Sequence, residues 1–195
     1  MTNTEITEYF DSVADSWDIR MVKSQQKINE ILDVAEVSQG KTVLDIACGT
    51  GVLIPDYIFR NVKKCVAVDI SSKMIEVAKN KFANSRNVQF VCADASEFAF
   101  GESFDCAVIY NAFPHFANRN MLFENIAKHL KYGGRLTIAH GMSRADILKH
   151  HSGSAKSIAL PLPEATELAE IMKLWFAVDT AVSTDKIYIV SGLVI

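Results

Sequence analysis

The stretch Val43-Leu44-Asp45-Ile46-Ala47-Cys48-Gly49-Thr50-Gly51 decides how the rest of the chain is read. An apolar run leads into a bend with glycines at 49 and 51, and a helix is predicted to begin near Val52. Glycine at such a bend lets the backbone turn sharply and come close to a ligand with no Cβ in the way. Outward from it, one pattern recurs: a short run rich in Val and Ile, a turn, then a stretch of helical period. Lys41 to Ala47, Lys64 to Ile70, Val88 to Ala93, Phe104 to Tyr110 and Arg135 to His140 are five such runs. They are continuous in apolar residues where a half-exposed strand would alternate, which predicts a parallel sheet covered on both faces. Ile28, Ile31, Leu32 and Ala35 keep helical spacing and Gly40 follows as a stop. Met74, Ala78 and Phe82 mark a second helix, capped by Ser71 or Ser72, and Met121, Leu122, Ile126 and Leu130 a third, closed by Gly133-Gly134. Phe176 to Ser183 and Lys186 to Ile195 are separated by a turn too short for a helical crossover, so they predict an antiparallel hairpin at one edge. The expected fold is α/β: a doubly wound, Rossmann-like seven-stranded sheet, six strands parallel and one reversed.

A chain of 195 residues, 49% hydrophobic and 22% charged, suits a single domain over residues 1–195. Its net charge of -3, with Lys and Arg scattered, lacks the basic stripe that binding a phosphate backbone requires, so nucleic acid is not the expected partner. No run approaches the eighteen or so apolar residues of a membrane span, and no leader-like pattern opens the chain; a soluble cytoplasmic protein is expected. Cys48, Cys65, Cys92 and Cys106 are well separated and read as reduced core thiols. Whether a second chain covers the edge hairpin is left open.

Two acids give the glycine bend its meaning. Asp69 closes Val66-Ala67-Val68-Asp69-Ile70, where a carboxylate can accept from both ribose hydroxyls. Asp94 closes the next run, Phe90-Val91-Cys92-Ala93-Asp94-Ala95, placed to accept from an adenine amino group. Three successive strand ends therefore present polar groups to one crevice, where open α/β sheets bind ligands. A nicotinamide-dependent reductase is the obvious rival. Its fingerprint needs a third small residue three positions after the second glycine, so that a helix N-terminus can meet pyrophosphate. Here that position holds Ile54, followed by Pro55, and Asp45 would repel pyrophosphate. An acid at 45 suits a cationic ligand, such as the α-ammonium and sulfonium of S-adenosylmethionine.

Together, Val43 to Gly51, Val66 to Ser71, Val91 to Ala95, Phe104 to Asn111 and Leu130 to His140 resemble the ordered motifs of class I S-adenosylmethionine-dependent methyltransferases. Phe10-Asp11-Ser12-Val13-Ala14-Asp15-Ser16-Trp17-Asp18 is similar to the opening of the ubiquinone/menaquinone C-methyltransferase-like branch. The resemblance implies that Gly49 and Gly51 line the methionine and ribose portions of the cofactor, that Asp69 holds the ribose and that Asp94 with the Ala95 backbone holds adenine. Asn111 would face the methionine end, and Asp45, Ala47, Ile70 and Met74 complete the cofactor-binding set. Ala47 stands where the family often has Gly, a minor change if its backbone keeps an ordinary conformation.

Methyl transfer to carbon, oxygen or sulfur of a small molecule is the expected activity; a reductase, or a module that binds S-adenosylmethionine without catalysis, are the alternatives. The sulfonium already carries a good leaving group, so in-line alignment is the protein's main contribution, worth on the order of 7–11 kcal/mol. A base is needed only for some acceptors, and histidine is the usual choice. His140, at the end of the fifth run, is preferred over His115 in Asn111-Ala112-Phe113-Pro114-His115-Phe116. His129 is expected to be solvated. His150-His151, after the capping box Ser143-Arg144-Ala145-Asp146, converge with His140 on a metal in a further alternative; with no carboxylate completing a ligand spacing, no metal is expected. Asn111-Ala112-Phe113-Pro114 lacks the paired prolines of nucleobase amino-methyltransferases, whereas Trp17, Phe113 and Phe116, with His115 and His140, suit a small and partly hydrophobic acceptor. Residues 1–21 and 141–163 are the expected lid.

Overall fold

The computed structural model describes residues 1–150 and 156–195. Seven strands form one sheet: β1 (Thr42–Ile46), β2 (Lys64–Asp69), β3 (Val88–Cys92), β4 (Phe104–Tyr110), β5 (Leu130–His140), β6 (Phe176–Ser183) and β7 (Tyr188–Val194). Their order is β3-β2-β1-β4-β5-β7-β6. Only β7 runs against its neighbours, pairing antiparallel with both β5 and β6, so the sheet has the six-to-one composition the sequence predicts.

Side-chain alternation along the central strands splits the core into two layers. Leu44, Ile46, Ala107, Ile109, Leu136 and Ile138 pack beneath α5 (Arg119–His129) and α7 (Ala165–Met172). Val43, Cys65, Ala67, Cys106 and Val108 pack beneath α2 (Gln25–Val34), α3 (Ile54–Phe59) and α4 (Ser72–Lys81). Ile28, Ile31, Leu32 and Ala35 of the predicted stripe on α2 are all fully buried. Ser71 caps α4, its hydroxyl accepting from the Met74 amide at 3.1 Å. Two helices have no counterpart in the sequence expectation: α7, and the long α1 (Asn3–Arg20). A further helix, α6 (Arg144–His150), starts at Ser143, whose hydroxyl accepts from the Asp146 amide at 3.1 Å.

Four expectations need correction. The edge strand β3 is not covered on both faces; Gln89 and Cys92 are exposed, so Cys92 is not a core thiol, unlike buried Cys48, Cys65 and Cys106. Helix α5 ends at His129, before Gly133-Gly134. That pair instead occupies the irregular start of β5, where Gly133 has φ +72° and a Cβ on Gly134 would lie 2.8 Å from the Lys131 carbonyl oxygen. His129 is not solvated: Nε2 accepts from the Phe100 amide at 3.2 Å and Nδ1 donates to the Asn125 carbonyl at 2.8 Å, beside the Phe100 ring. Among the described residues, no helix is long and apolar enough to cross a membrane.

Candidate active site

The carboxyl ends of β1, β2 and β4, with the chain leaving β3, open on a cavity of about 290 Å³, near the lower end of the roughly 300–1,000 Å³ usual for small-molecule sites. Its floor is backbone. Leaving β1, the chain takes positive φ at Ala47 (+55°), Gly49 (+54°) and Gly51 (+86°). Ala47 is therefore not in an ordinary conformation: its methyl is held in the left-handed region, at a cost of about 1–2 kcal/mol. Around the Cβ position of Gly49 the nearest atom is the Trp17 indole nitrogen at 3.9 Å, so this side of the bend is open toward the cavity. At Gly51 the constraint is packing, because a Cβ would lie 2.7 Å from the Phe82 ring and 3.1 Å from Ile54.

Asp69 ties the bend to the next helix. Its Oδ2 accepts from the Gly49 amide at 2.8 Å and its Oδ1 from the Ser71 amide at 2.9 Å. A carboxylate has about four acceptor positions, so acceptor capacity remains for a ligand. Burial raises the Asp69 pKa, the Ser71 and Gly49 amides oppose the rise, and the nearby Asp11 charge adds to it. Asp45 lies one layer below. Strand parity turns its side chain to the α3 face with Tyr57 and not into the cavity, and only 1% of it is exposed. Burial lifts its pKa to about 8, with the Tyr57 hydroxyl opposing and the Asp69 charge reinforcing the shift. Its Oδ2 has no hydrogen-bond partner among the described residues. A buried acid with an unmatched oxygen beneath a glycine bend, next to a second buried acid, fits a ligand that brings positive charge.

At the far end of the floor, Asp94 Oδ1 accepts from the Ser96 amide at 2.8 Å, and its Oδ2 accepts from the Asn3 side-chain amide at 2.6 Å. Asn111, with φ +56°, bridges two strand ends: its amide donates to the Ala139 carbonyl at 2.9 Å and its Oδ1 accepts from the Gly141 amide at 3.0 Å. Asparagine tolerates the left-handed region better than other residues with a Cβ.

The roof is α1. Thr2 and Glu5 form a reciprocal capping box at its start. Ile6, Phe10, Trp17 and, just past the helix, Met21 line the cavity. Phe10 stands edge-on to both Trp17, at 5.7 Å between ring centres, and His115, at 5.0 Å. Acids beside this apolar stripe hold the roof to the floor. Asp11 accepts from the Ser71 hydroxyl at 2.5 Å and the Lys73 amide at 3.1 Å; Asp18 accepts from the Thr50 hydroxyl at 2.5 Å and pairs with Lys81 at 2.5 Å. His115 lies on the short 3-10 turn Phe113–His115 with its Nδ1 2.8 Å from the Ile158 carbonyl oxygen. A carbonyl only accepts, so Nδ1 carries a proton.

Of the residues singled out by sequence, Ala47, Gly49, Asp69, Ile70, Met74, Asp94, Ala95, Asn111, Trp17, His115 and Phe116 line one cavity. Asp45 and Gly51 support its floor from behind. Four expectations fail on placement: Asp45 and Gly51, expected to bind the cofactor, lie behind the cavity wall, and His140 and Phe113 lie outside it. His140 is not in the cavity: it is 2% exposed, on the α5/α7 side of β5, with its ring 5.9 Å from that of Tyr188. Its parity along the strand, matching Leu136 and Ile138, turns it into the core. Phe113 is fully buried against Phe123 at 5.9 Å and lines no part of the site. His151 of the metal alternative lies outside the described residues, and among the described residues no group of three or more His, Cys, Asp or Glu is placed to hold a metal. Sequence reasoning missed Asn3, Ile6, Phe10, Tyr110 and Met121 as lining residues. The spacing of Ile6, Phe10, Ala14, Trp17 and Met21 is a helical stripe that would have revealed the roof.

A glycine bend and acidic strand tips on a sheet of this order define a Rossmann-like nucleoside-binding domain. A family model described as a methyltransferase domain matches residues 43–134. The chain is 30% identical over 145 residues to the ubiquinone/menaquinone biosynthesis C-methyltransferase UbiE of Pseudomonas aeruginosa (strain LESB58), covering 69% of this chain and 57% of that protein. In fold it is similar to the N-methyltransferase NodS of Bradyrhizobium japonicum WM9 in complex with S-adenosyl-L-homocysteine, at TM-score 0.74 and 13% identity over 100% of this chain and 99% of that one. It is also similar to magnesium protoporphyrin IX methyltransferase (ChlM) of Synechocystis PCC 6803 with bound S-adenosylhomocysteine, at TM-score 0.74 and 17% identity over 99% of each chain. Residues 43–134 thus match a methyltransferase domain, and the chain is similar in sequence and in fold to S-adenosylmethionine-dependent methyltransferases. The chain spans 57% of the length of that C-methyltransferase.

Proposed function

We propose that this chain transfers the methyl group of S-adenosylmethionine to carbon, oxygen or sulfur of a small, largely apolar acceptor. The observation that carries the reading is one cavity joining polar groups from four strand ends, Gly49, Asp69, Asp94 and Asn111, to an aromatic roof of Phe10 and Trp17. Similarity to a C-methyltransferase favours carbon as the accepting atom. When bound, the cofactor supplies an electrophilic methyl carbon on a sulfonium leaving group.

The chain's own residues do the rest. Asp69 has acceptor capacity left for ribose hydroxyls, and Asp94 for an exocyclic amino group. Asp45 offers negative charge beneath the bend, where an approaching cation would favour its ionised form. Asn111, locked between Ala139 and Gly141, presents its remaining polar atoms to the same end of the cavity. Phe10 and Trp17 exclude water and flank the acceptor, so that its nucleophilic atom is held in line; His115, on the cavity wall with its ring oriented by Ile158, is the candidate base. His140 has no such role, being buried away from the cavity.

Incubating the protein with a metabolite extract and methyl-labelled S-adenosylmethionine tests this reading. One small molecule should acquire the label, and S-adenosylhomocysteine should suppress it. Saturable binding of S-adenosylhomocysteine with no labelled product would support the non-catalytic module instead, and heat with NADH but not with S-adenosylhomocysteine would support the reductase.

A further inference from the structure

The nucleobase end of the cavity contains a group that no strand supplies. Asn3 is the first residue of α1, and the capping box between Thr2 and Glu5 fixes the turn that carries it. Its Nδ2 donates to Asp94 Oδ2 at 2.6 Å, while the other carboxylate oxygen is held by the Ser96 amide at 2.8 Å. Asn3, Ile6, Ile70, Asp94 and Ala95 all line the cavity. The cavity wall therefore carries two polar groups side by side, one a carboxylate and one an amide.

Those two groups have different recognition capacity. A carboxylate only accepts, so Asp94 can require an amino group, whereas each ring nitrogen beside that group needs a donor from elsewhere, the Ala95 backbone for one and a neighbouring side chain for the other. A primary amide has a second N–H and a carbonyl oxygen besides the N–H already given to Asp94. Adenine presents an exocyclic amino donor next to a ring-nitrogen acceptor, the pattern that an asparagine side chain matches.

We infer that Asn3 is a specificity residue for the cofactor: with its side chain set by Asp94, it donates its second amide N–H to the ring nitrogen next to the adenine amino group. The inference rests on the cofactor reading above. It also makes the roof part of the nucleobase site, because the residue that completes the adenine contact travels with α1. Asp94 then both accepts from the amino group and orients Asn3, through the two lone pairs on each of its oxygens.

Calorimetry on the full chain tests this with three ligands: S-adenosylhomocysteine, and its analogues with carbon and hydrogen in place of the ring nitrogen at position 1 or position 7. Wild type should bind one of the two analogues about tenfold more weakly than the parent, the scale of one lost hydrogen bond. Asn3→Ala should bind the parent about tenfold more weakly and that analogue no more weakly still, so that the preference disappears. Loosening of α1 would weaken all three ligands together and leave the preference standing, which would overturn the inference, as would Asn3→Ala binding the parent as tightly as wild type. The underlying reading fails separately: Asp94→Asn would then leave parent binding unchanged, or wild type would give no heat with S-adenosylhomocysteine at all.

Discussion

Floor and roof of the cavity are built by different physics. The floor, from Asp45 to Asn111, is held by backbone: positive φ at Ala47, Gly49, Gly51 and Asn111, and amides of Gly49 and Ser71 aimed at a buried carboxylate. The roof, α1, is held by side chains, with Asn3, Asp11 and Asp18 reaching down from a helix that belongs to no strand crossover. A floor made of backbone geometry is the same for any acceptor, which suits it to a constant ligand such as the proposed cofactor. A roof attached by a few polar contacts can vary without disturbing the sheet, which suits it to a variable acceptor, although Asn3 also brings it to the proposed nucleobase site.

The contrast can be broken most severely at Asp69. Asp69→Ala leaves the buried Ser71 amide without a partner, at about 1–3 kcal/mol, together with the half-buried Gly49 amide, and is expected to weaken S-adenosylhomocysteine binding by about 100-fold or more in calorimetry. If binding survives, the floor does not hold the ribose.

Asp45 gives a pH-dependent version of the same question. Its carboxyl titrates at about 8 in the folded protein against about 4 in the unfolded chain. The folded state therefore keeps a proton that the unfolded state releases, and stability falls as pH rises from about 4 to about 8. Asp45→Asn, which keeps the neutral shape, should add on the order of 2–4 kcal/mol to the stability of the ligand-free protein at pH 8 and almost nothing at pH 4. Denaturant melts at the two values check this; equal gains at both would mean that the acid is not neutral when folded.

Gly51→Ala combines a left-handed backbone with a Cβ 2.7 Å from the Phe82 ring, and is expected to cost about 2–3 kcal/mol. On the roof, Asp18→Ala removes the contacts to Thr50 and Lys81. The expected cost is below about 1 kcal/mol in global stability, because exposed pairs are weak. The telling readout is Trp17, whose fluorescence should shift to the red as α1 loosens. A large global loss with Trp17 unmoved would make the roof as integral as the floor. The smallest effect belongs to Ala47→Gly, where relief of strain and added unfolded-state entropy nearly cancel to within about 0.5 kcal/mol.

The strands between residues 42 and 110 were legible because each is read from its own residues: apolar runs throughout, acids at the ends of β2 and β3, and glycines where the chain turns after β1. The antiparallel hairpin was legible for the same reason, since a turn that short admits no crossover. His140 and Phe113 were misplaced because the end of a run does not reveal which face its last side chain takes. Strand parity buried the first, and stacking on Phe123 buried the second. Cys92 was misread because composition cannot say that β3 lies at the edge.

By itself, then, the amino-acid sequence determined the sheet, its reversed strand and the acidic tips around the glycine bend, because these follow from periodicity and from residues adjacent along the chain. Only the tertiary structure decided which acids face the cavity, that His115 and not His140 reaches it, and that α1 closes over it. Those outcomes depend on contacts such as that of Asn3 with Asp94, between residues 91 positions apart, where no local pattern links the partners.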